Sequence, residues 1–71
     1  MNVDGIMTHL KILNLLYYLE VSRSTMRRII EPINSAKSRE DGLKLEKRIL
    51  ASIQNCATEK DILVELEAMG L

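Results

Sequence analysis

The sequence has too few cysteine, histidine, glycine and proline residues for several familiar kinds of small protein. Cys56 is the only cysteine and His9 the only histidine among the 71 residues. An intrachain disulfide needs two cysteines, and a structural zinc site usually needs four Cys or His ligands. With three glycines and one proline, the chain is also short of the turn residues that a β-rich fold requires. These shortages exclude a disulfide scaffold and a zinc module, and they disfavour a β-sheet protein.

Aromatic residues and long apolar runs are scarce as well. Tyr17 and Tyr18 are the only aromatic residues, and the longest apolar run spans residues 15–19. A membrane-spanning helix needs about 20 predominantly apolar residues. The first residues lack the basic region and long uncharged core of a signal peptide. Together with the lone cysteine, these features predict a cytoplasmic domain with no membrane partner.

The residues and motifs that enzymes use are also missing. An enzyme holds a nucleophile, a base or a metal ion in convergent geometry. We expect His9 to lie on a helix surface, and Cys56 follows a predicted helix, whereas a low thiol pKa is favoured at helix N-termini. The sequence has no glycine-rich phosphate loop, no calcium loop and no zinc-ligand spacing. We therefore predict no catalytic residue, no metal and no cofactor.

The chain is instead rich in Leu, Ile and Met, which suit helix packing, and 46% of its residues are hydrophobic. The composition and periodicity predict one all-α domain over residues 1–71: an antiparallel hairpin of two main helices with a short third helix at the C-terminal end. Asp4, Ser38 and Thr58 are suitable N-caps, and Pro32 should kink or end the first helix. The predicted helices run from about Gly5 to Asn34, from Ser38 to about Asn55, and from Glu59 to Met69. Continuing the apolar stripe of the second helix would place Lys60 near it, which predicts a break, with one bent helix over both segments as the alternative.

One apolar seam runs along the whole first helix in alternating steps of three and four residues, with Ser22 at the one missing position. Its members are Ile12, Leu15, Leu19, Met26, Ile29 and Ile33. Such a seam is typical of helices that pair along their length. Ile6, Leu10, Leu13 and Leu16 widen the stripe in the first half of the helix, so it needs cover on more than one side. The candidate partner-binding residues are Leu15, Leu19, Met26, Ile29 and Ile33, with the alternative that all five serve only the intramolecular core.

A partner protein or a second copy would supply the missing cover, since so small a domain buries only about 60% of its unfolded surface. A family resemblance is carried by residues 7–10, Leu13, Leu16 and residues 44–50. Over about residues 7–56, the chain resembles the small two-helix co-chaperones of type III secretion needle subunits. The acidic residues 58–71 depart from that pattern. The resemblance implies a small helical chaperone. More broadly, we expect a chaperone, adaptor or anti-factor that binds a protein partner, forms a homo-oligomer, or does both.

A second hypothesis for the function starts from the distribution of charge along the chain. Residues 22–48 carry a net charge of +4, whereas residues 49–71 carry −3. Within the basic segment, residues 19–29 resemble the turn and recognition helix of helix-turn-helix regulators. The resemblance implies a dimeric DNA-binding transcriptional regulator. Val21 would be the turn hydrophobe and Ser22 the cap, and the residues facing DNA would be Arg23, Ser24, Arg27 and Arg28.

Two residues depart from the regulator pattern: Glu20 stands where the turn favours glycine, and Leu16 where the first helix usually carries a small residue. The apolar seam also continues in register through Ser22, which favours an unbroken helix. The two functions therefore predict different backbones. A protein-interaction module predicts a continuous helix through residues 21–25, and a DNA-binding regulator predicts a sharp bend there with its arginines pointing outward.

Overall fold

The structure is a computed structural model that describes residues 3–71, with side chains from residue 5 onward. In this range the chain forms four α-helices and no strand, so the all-α prediction is confirmed. Short connections of four or five residues separate the helices. The helices are α1 (Val3–Tyr18), α2 (Arg23–Asn34), α3 (Arg39–Ile53) and α4 (Glu59–Ala68). The side chain of the predicted cap Asp4 lies outside the described side chains.

The prediction of one unbroken helix over residues 5–34 is wrong, because the chain turns between Tyr18 and Arg23. Glu20 adopts the left-handed conformation with φ 52°. Its amide donates to the Tyr17 carbonyl at 3.1 Å, and the Val21 amide donates to the Leu16 carbonyl at 3.2 Å. These two bonds and the buried pair Leu16 and Val21 form a Schellman motif, which ends a helix and reverses the chain. The turn buries Val21, which a continuous helix would have placed off the apolar seam.

Hydroxyl side chains cap the other three helices. Ser22, Ser38 and Thr58 accept hydrogen bonds from the backbone amides three residues later, at 3.4, 3.1 and 3.2 Å. Each bond satisfies an amide that has no partner within its own helix. The predicted starts of α3 and α4 are therefore confirmed. Pro32 lies in the last turn of α2, and the helix ends two residues later.

The helices bury one apolar core made of Ile12, Leu16, Val21, Ile29, Ile49, Ile53, Ile62 and Leu66. Helix α1 packs on α3, whereas α2 packs on both α3 and α4. His9 contacts Glu46, and Tyr18 lies beside Gln54, so α1 and α3 run in the same direction.

At the corner between α2 and α3, Gly42 approaches the Ile33 carbonyl so closely that a Cβ atom would lie 3.3 Å from it. No helix in residues 3–71 is both long and apolar enough to cross a membrane.

Candidate functional site

Helix α1 carries most of the exposed apolar surface. Within residues 5–71, five of the six large apolar side chains that are exposed lie on α1, and Val64 on α4 is the sixth. Ile6, Leu10 and Tyr17 are 42%, 46% and 68% exposed, and with half-buried Leu13 they follow steps of four, three and four residues. This spacing places them on one side of the helix. We call these four residues the α1 outer face; exposed Met7 and Tyr18 border it.

An open groove of ≈ 1050 Å³ lies beside the first turns of the α1 outer face. Its apolar walls come from α1, from the end of α2 and from the corner that leads into α3. Lys37 and Arg39 lie at its rim and are exposed, whereas Glu40 at the same rim pairs with Lys44 at 3.7 Å. The exposed rim therefore carries two positive charges against one negative charge, and buried Glu46 adds a second carboxylate to the groove lining. The apolar residues that line this corner groove are Ile6, Leu10, Ile33, Ala36 and Leu43.

A histidine and a buried carboxylate meet in the lining of the corner groove. His9 Nδ1 lies 2.9 Å from Glu46 Oε2, and Glu46 is only 8% exposed. A buried carboxylate needs a polar partner, and His9 supplies one. His9 lies on the helix surface as predicted, but its contact with Glu46 was not predicted. One signal was present, because Glu46 stands three residues before Ile49 and seven before Ile53, on the buried side of α3.

The predicted partner-binding residues lie in the core or against it. Ile29 is fully buried, and the other four are partly buried and pack against the core cluster. Of the five, Ile33 also lines the corner groove. The structure thus places Leu15, Leu19, Met26 and Ile29 where they serve intramolecular packing, and their role toward a partner stays a prediction.

The residues predicted to face DNA are all exposed on α2. Two of them have contacts within the chain: the Arg28 guanidinium donates to the Leu71 backbone oxygen, and the Ser24 and Ser22 hydroxyls lie 3.1 Å apart. Arg23 and Arg27 stand one helical turn apart. The bend and the exposed arginines are what the helix-turn-helix interpretation predicted, and the continuous helix through residues 21–25 that the protein-interaction interpretation predicted is absent.

A glutamate from α4 occupies the N-terminus of α2. The Glu59 carboxylate accepts hydrogen bonds from the Ser22 amide at 3.2 Å, from the Ser22 hydroxyl at 2.6 Å, and from the Thr25 hydroxyl. We call these three bonds the Glu59 clamp. The Ser22 and Thr25 hydroxyls and then the Ser22 amide hold the pKa of Glu59 below its ordinary value. A carboxylate is favourable at the positive end of a helix dipole, and here it would repel a DNA phosphate.

The Glu59 clamp was not predictable from the sequence either. Glu59 follows the Thr58 cap directly, and an acidic residue in the first turn of a helix is explained locally by the helix dipole. Nothing in the local pattern indicates that this side chain reaches across to α2.

The structure gives no support for cysteine chemistry. Cys56 is half-buried, and burial followed by the charges of Asp61 and Glu65 raises the pKa of its thiol. The thiolate is the nucleophilic form, so a raised pKa weakens the reactivity of this cysteine at neutral pH. Within the described residues, no group of three or more His, Cys, Asp and Glu side chains could hold a metal ion.

No protein-family model, curated protein or solved structure matches this chain.

Proposed function

We propose that this domain is a non-enzymatic protein-interaction module that binds an amphipathic helix of a partner protein in the corner groove. One observation carries the proposal: α1 is apolar on two sides, and α3 covers only one of them. In this arrangement α2 and α3 form an antiparallel hairpin, α4 closes its end, and α1 supplies the binding surface. A cytoplasmic chaperone, adaptor or anti-factor would use such a surface.

The shape and charge of the corner groove indicate the kind of helix that fits. Helices bind grooves of this type by inserting apolar side chains spaced three or four residues apart. Ile6, Leu10 and Leu43 offer apolar contact for such side chains. Lys37 and Arg39 at the rim would attract acidic residues on the flank of the partner helix. The proposed ligand is therefore an amphipathic helix with apolar anchors and an acidic flank.

A peptide selection tests this proposal. Helical peptides from a randomised library would be selected on the wild-type chain, and their affinity would be measured for Leu10→Asp. We expect apolar anchors at helical spacing beside acidic residues, and about a tenfold or greater loss of affinity for Leu10→Asp, because a charge would enter an apolar contact. Val64→Asp is the matched control, since it adds the same charge at an exposed apolar position on α4. Selected peptides that bind both variants equally would refute the proposed surface.

Self-association is the competing use of the same surface. Light scattering would measure the molar mass of the wild-type chain at micromolar concentration. The proposal predicts a monomer in the absence of a partner. A dimer that Leu10→Asp disrupts and Val64→Asp preserves would instead assign the α1 outer face to a second copy of this chain.

DNA binding is the second candidate function, favoured by the bend at residues 19–22 and by outward-pointing Arg23 and Arg27. Each phosphate contact releases counterions, so DNA binding should weaken steeply with salt. The test measures affinity for duplex DNA between about 50 and 200 mM salt, with Arg23→Ala and Arg27→Ala combined. A steep slope that the double variant reduces, with its fold intact, would favour this function. Weak, salt-insensitive binding would eliminate it.

A further inference from the structure

The turn between α1 and α2 interrupts an apolar seam whose register continues on both sides. Leu19 and Met26 lie seven residues apart, as they would on one straight helix, and Ser22 occupies the only gap. No glycine or proline lies between Gly5 and Pro32. Residues 19–22 are therefore compatible with a helix as well as with the observed turn.

One feature opposes the bent form and another holds it. The opposing feature is the left-handed backbone of Glu20, a conformation that L-residues other than glycine and sometimes Asn or Asp rarely adopt. The same turn recurs after α4, where the Leu71 amide donates to the Leu66 carbonyl, and there the left-handed position is Gly70 with φ 79°. The other feature is the Glu59 clamp, which fixes the first turn of α2 from α4. The turn between α1 and α2 thus carries a backbone strain at Glu20, whereas the turn after α4 avoids that strain because its left-handed residue is Gly70.

Straightening this turn would prevent α1 from remaining on its own bundle. A continuous helix over residues 5–34 would be about 45 Å long at 1.5 Å per residue. The longest dimension of the molecule is 32 Å. Helix α1 would therefore leave α3 and expose the apolar contacts of Ile12 and Leu16. A second copy of the chain offers an identical α3 surface for them.

We propose that the α1–α2 turn is a hinge, and that its straightening allows two copies of the chain to exchange α1. The Glu59 clamp keeps the hinge bent, and the left-handed Glu20 predisposes it to open. This inference does not depend on the proposed peptide-binding function, because it concerns the inner side of α1 rather than its outer face.

Cross-linking between two marked chains tests the exchange. Asn14 on α1 and Gln54 at the end of α3 line one shallow groove. In a Cys56→Ser background, chains with Asn14→Cys would be mixed with chains with Gln54→Cys, denatured and refolded together, and treated with a short bis-maleimide. Covalent heterodimers form efficiently only where α1 of one chain lies on α3 of the other.

Glu59→Gln weakens the clamp, and we expect it to raise the yield of cross-linked heterodimer at least about tenfold over the wild type. Glu67→Gln is the matched control, because it removes the same charge from an exposed position on α4 and should leave the yield unchanged. Adding Glu20→Gly to Glu59→Gln should lower the yield again about tenfold or more, since glycine favours the turn and disfavours the helix.

Two results would overturn the inference. One is a Glu59→Gln chain that remains folded by circular dichroism and cross-links no more than the wild type. The other is heterodimer that forms equally with and without Glu20→Gly, because that dimer would not require a straightened hinge. If Glu59→Gln fails to fold, Ser22→Ala takes its place, because it removes the cap and one clamp bond and favours the helix. The same two results, obtained with Ser22→Ala, would decide against the exchange.

Discussion

Replacing Glu20 with glycine should stabilise the domain, although it removes a whole side chain. Glu20 lies at the left-handed position of the turn that ends α1, with φ 52°. The turn is satisfied by backbone bonds from the Glu20 and Val21 amides, and neither bond involves the Glu20 side chain. Glu20→Gly therefore keeps the hydrogen bonds of the turn and relieves its backbone strain.

The size of the gain follows from two opposing terms. A left-handed L-residue costs about 1–2 kcal/mol relative to glycine. Glycine loses more conformational freedom on folding, which costs about 0.5–1 kcal/mol. The net expectation is an increase of about 1 kcal/mol in the free energy of unfolding. For a domain of this size, that corresponds to a rise in Tm of about 4–8 °C.

Urea unfolding followed by circular dichroism would measure this change. Glu20→Ala separates the side chain from the backbone, since alanine shares the left-handed penalty, and its unfolding free energy should stay within about 0.5 kcal/mol of the wild type. Gly70→Ala is the reciprocal variant: it places a Cβ in open space at φ 79°, so it should lose about 1 kcal/mol through the backbone alone. If Glu20→Gly were no more stable than Glu20→Ala, the turn would not be strained as described.

Three further changes test the clamp, the core and the corner. Because the folded-state pKa of Glu59 lies below its unfolded value of about 4.3, its contribution should be complete above that pH and disappear as the pH falls through the folded-state pKa. Urea titrations from pH 7 to 3 should thus show a smaller loss of stability on acidification for Glu59→Gln than for the wild type. Ile29→Ala should lower the free energy of unfolding by about 2–5 kcal/mol because this side chain is fully buried. Exposed Tyr18→Ala should change it by less than about 0.5 kcal/mol, and equal effects of the two variants would contradict the assigned core. Gly42→Ala should cost about 1 kcal/mol or more in a thermal melt, although alanine favours helices, because its Cβ would press on the Ile33 carbonyl at 3.3 Å; a rise in Tm would show that the corner can relax.

The elements that depend on local signals were predictable from the sequence. Ser38 and Thr58 are cap residues followed three positions later by an aspartate, and α3 and α4 begin directly after them. The break between α3 and α4 was predictable because continuing the apolar stripe of α3 would have placed Lys60 near it. These features depend on a few neighbouring residues, which is the range over which sequence patterns are informative.

The turn at residues 19–22 was predicted only by the helix-turn-helix resemblance, which correctly named Val21 as the buried turn residue and Ser22 as the cap, whereas the apolar periodicity predicted a continuous helix. A Schellman turn is usually marked by glycine, and here Glu20 occupies the glycine position. The turn also preserves the seven-residue spacing from Leu19 to Met26, so the periodicity gives no sign of it. Burial of Val21 and the Glu59 clamp favour the bend, and both depend on the packed structure.

The contacts that shape the candidate surfaces are also non-local. His9 and Glu46 are 37 residues apart, and so are Ser22 and Glu59. The apolar excess of α1 was evident from its wide stripe, but which side would stay exposed depends on the position of α3. Sequence therefore predicted that α1 needs additional cover, whereas the structure was required to locate the outer face.

The corner groove exists only because α1 folds back toward the end of α2. Spin labels on Leu10→Cys and Asn34→Cys, in a Cys56→Ser background at high dilution, would measure this fold-back directly by electron–electron double resonance. Both positions line the corner groove, so a distance far below the 32 Å length of the molecule is expected. A dominant distance near 36 Å, the separation of 24 residues along one straight helix, would show that the chain does not turn at residues 19–22.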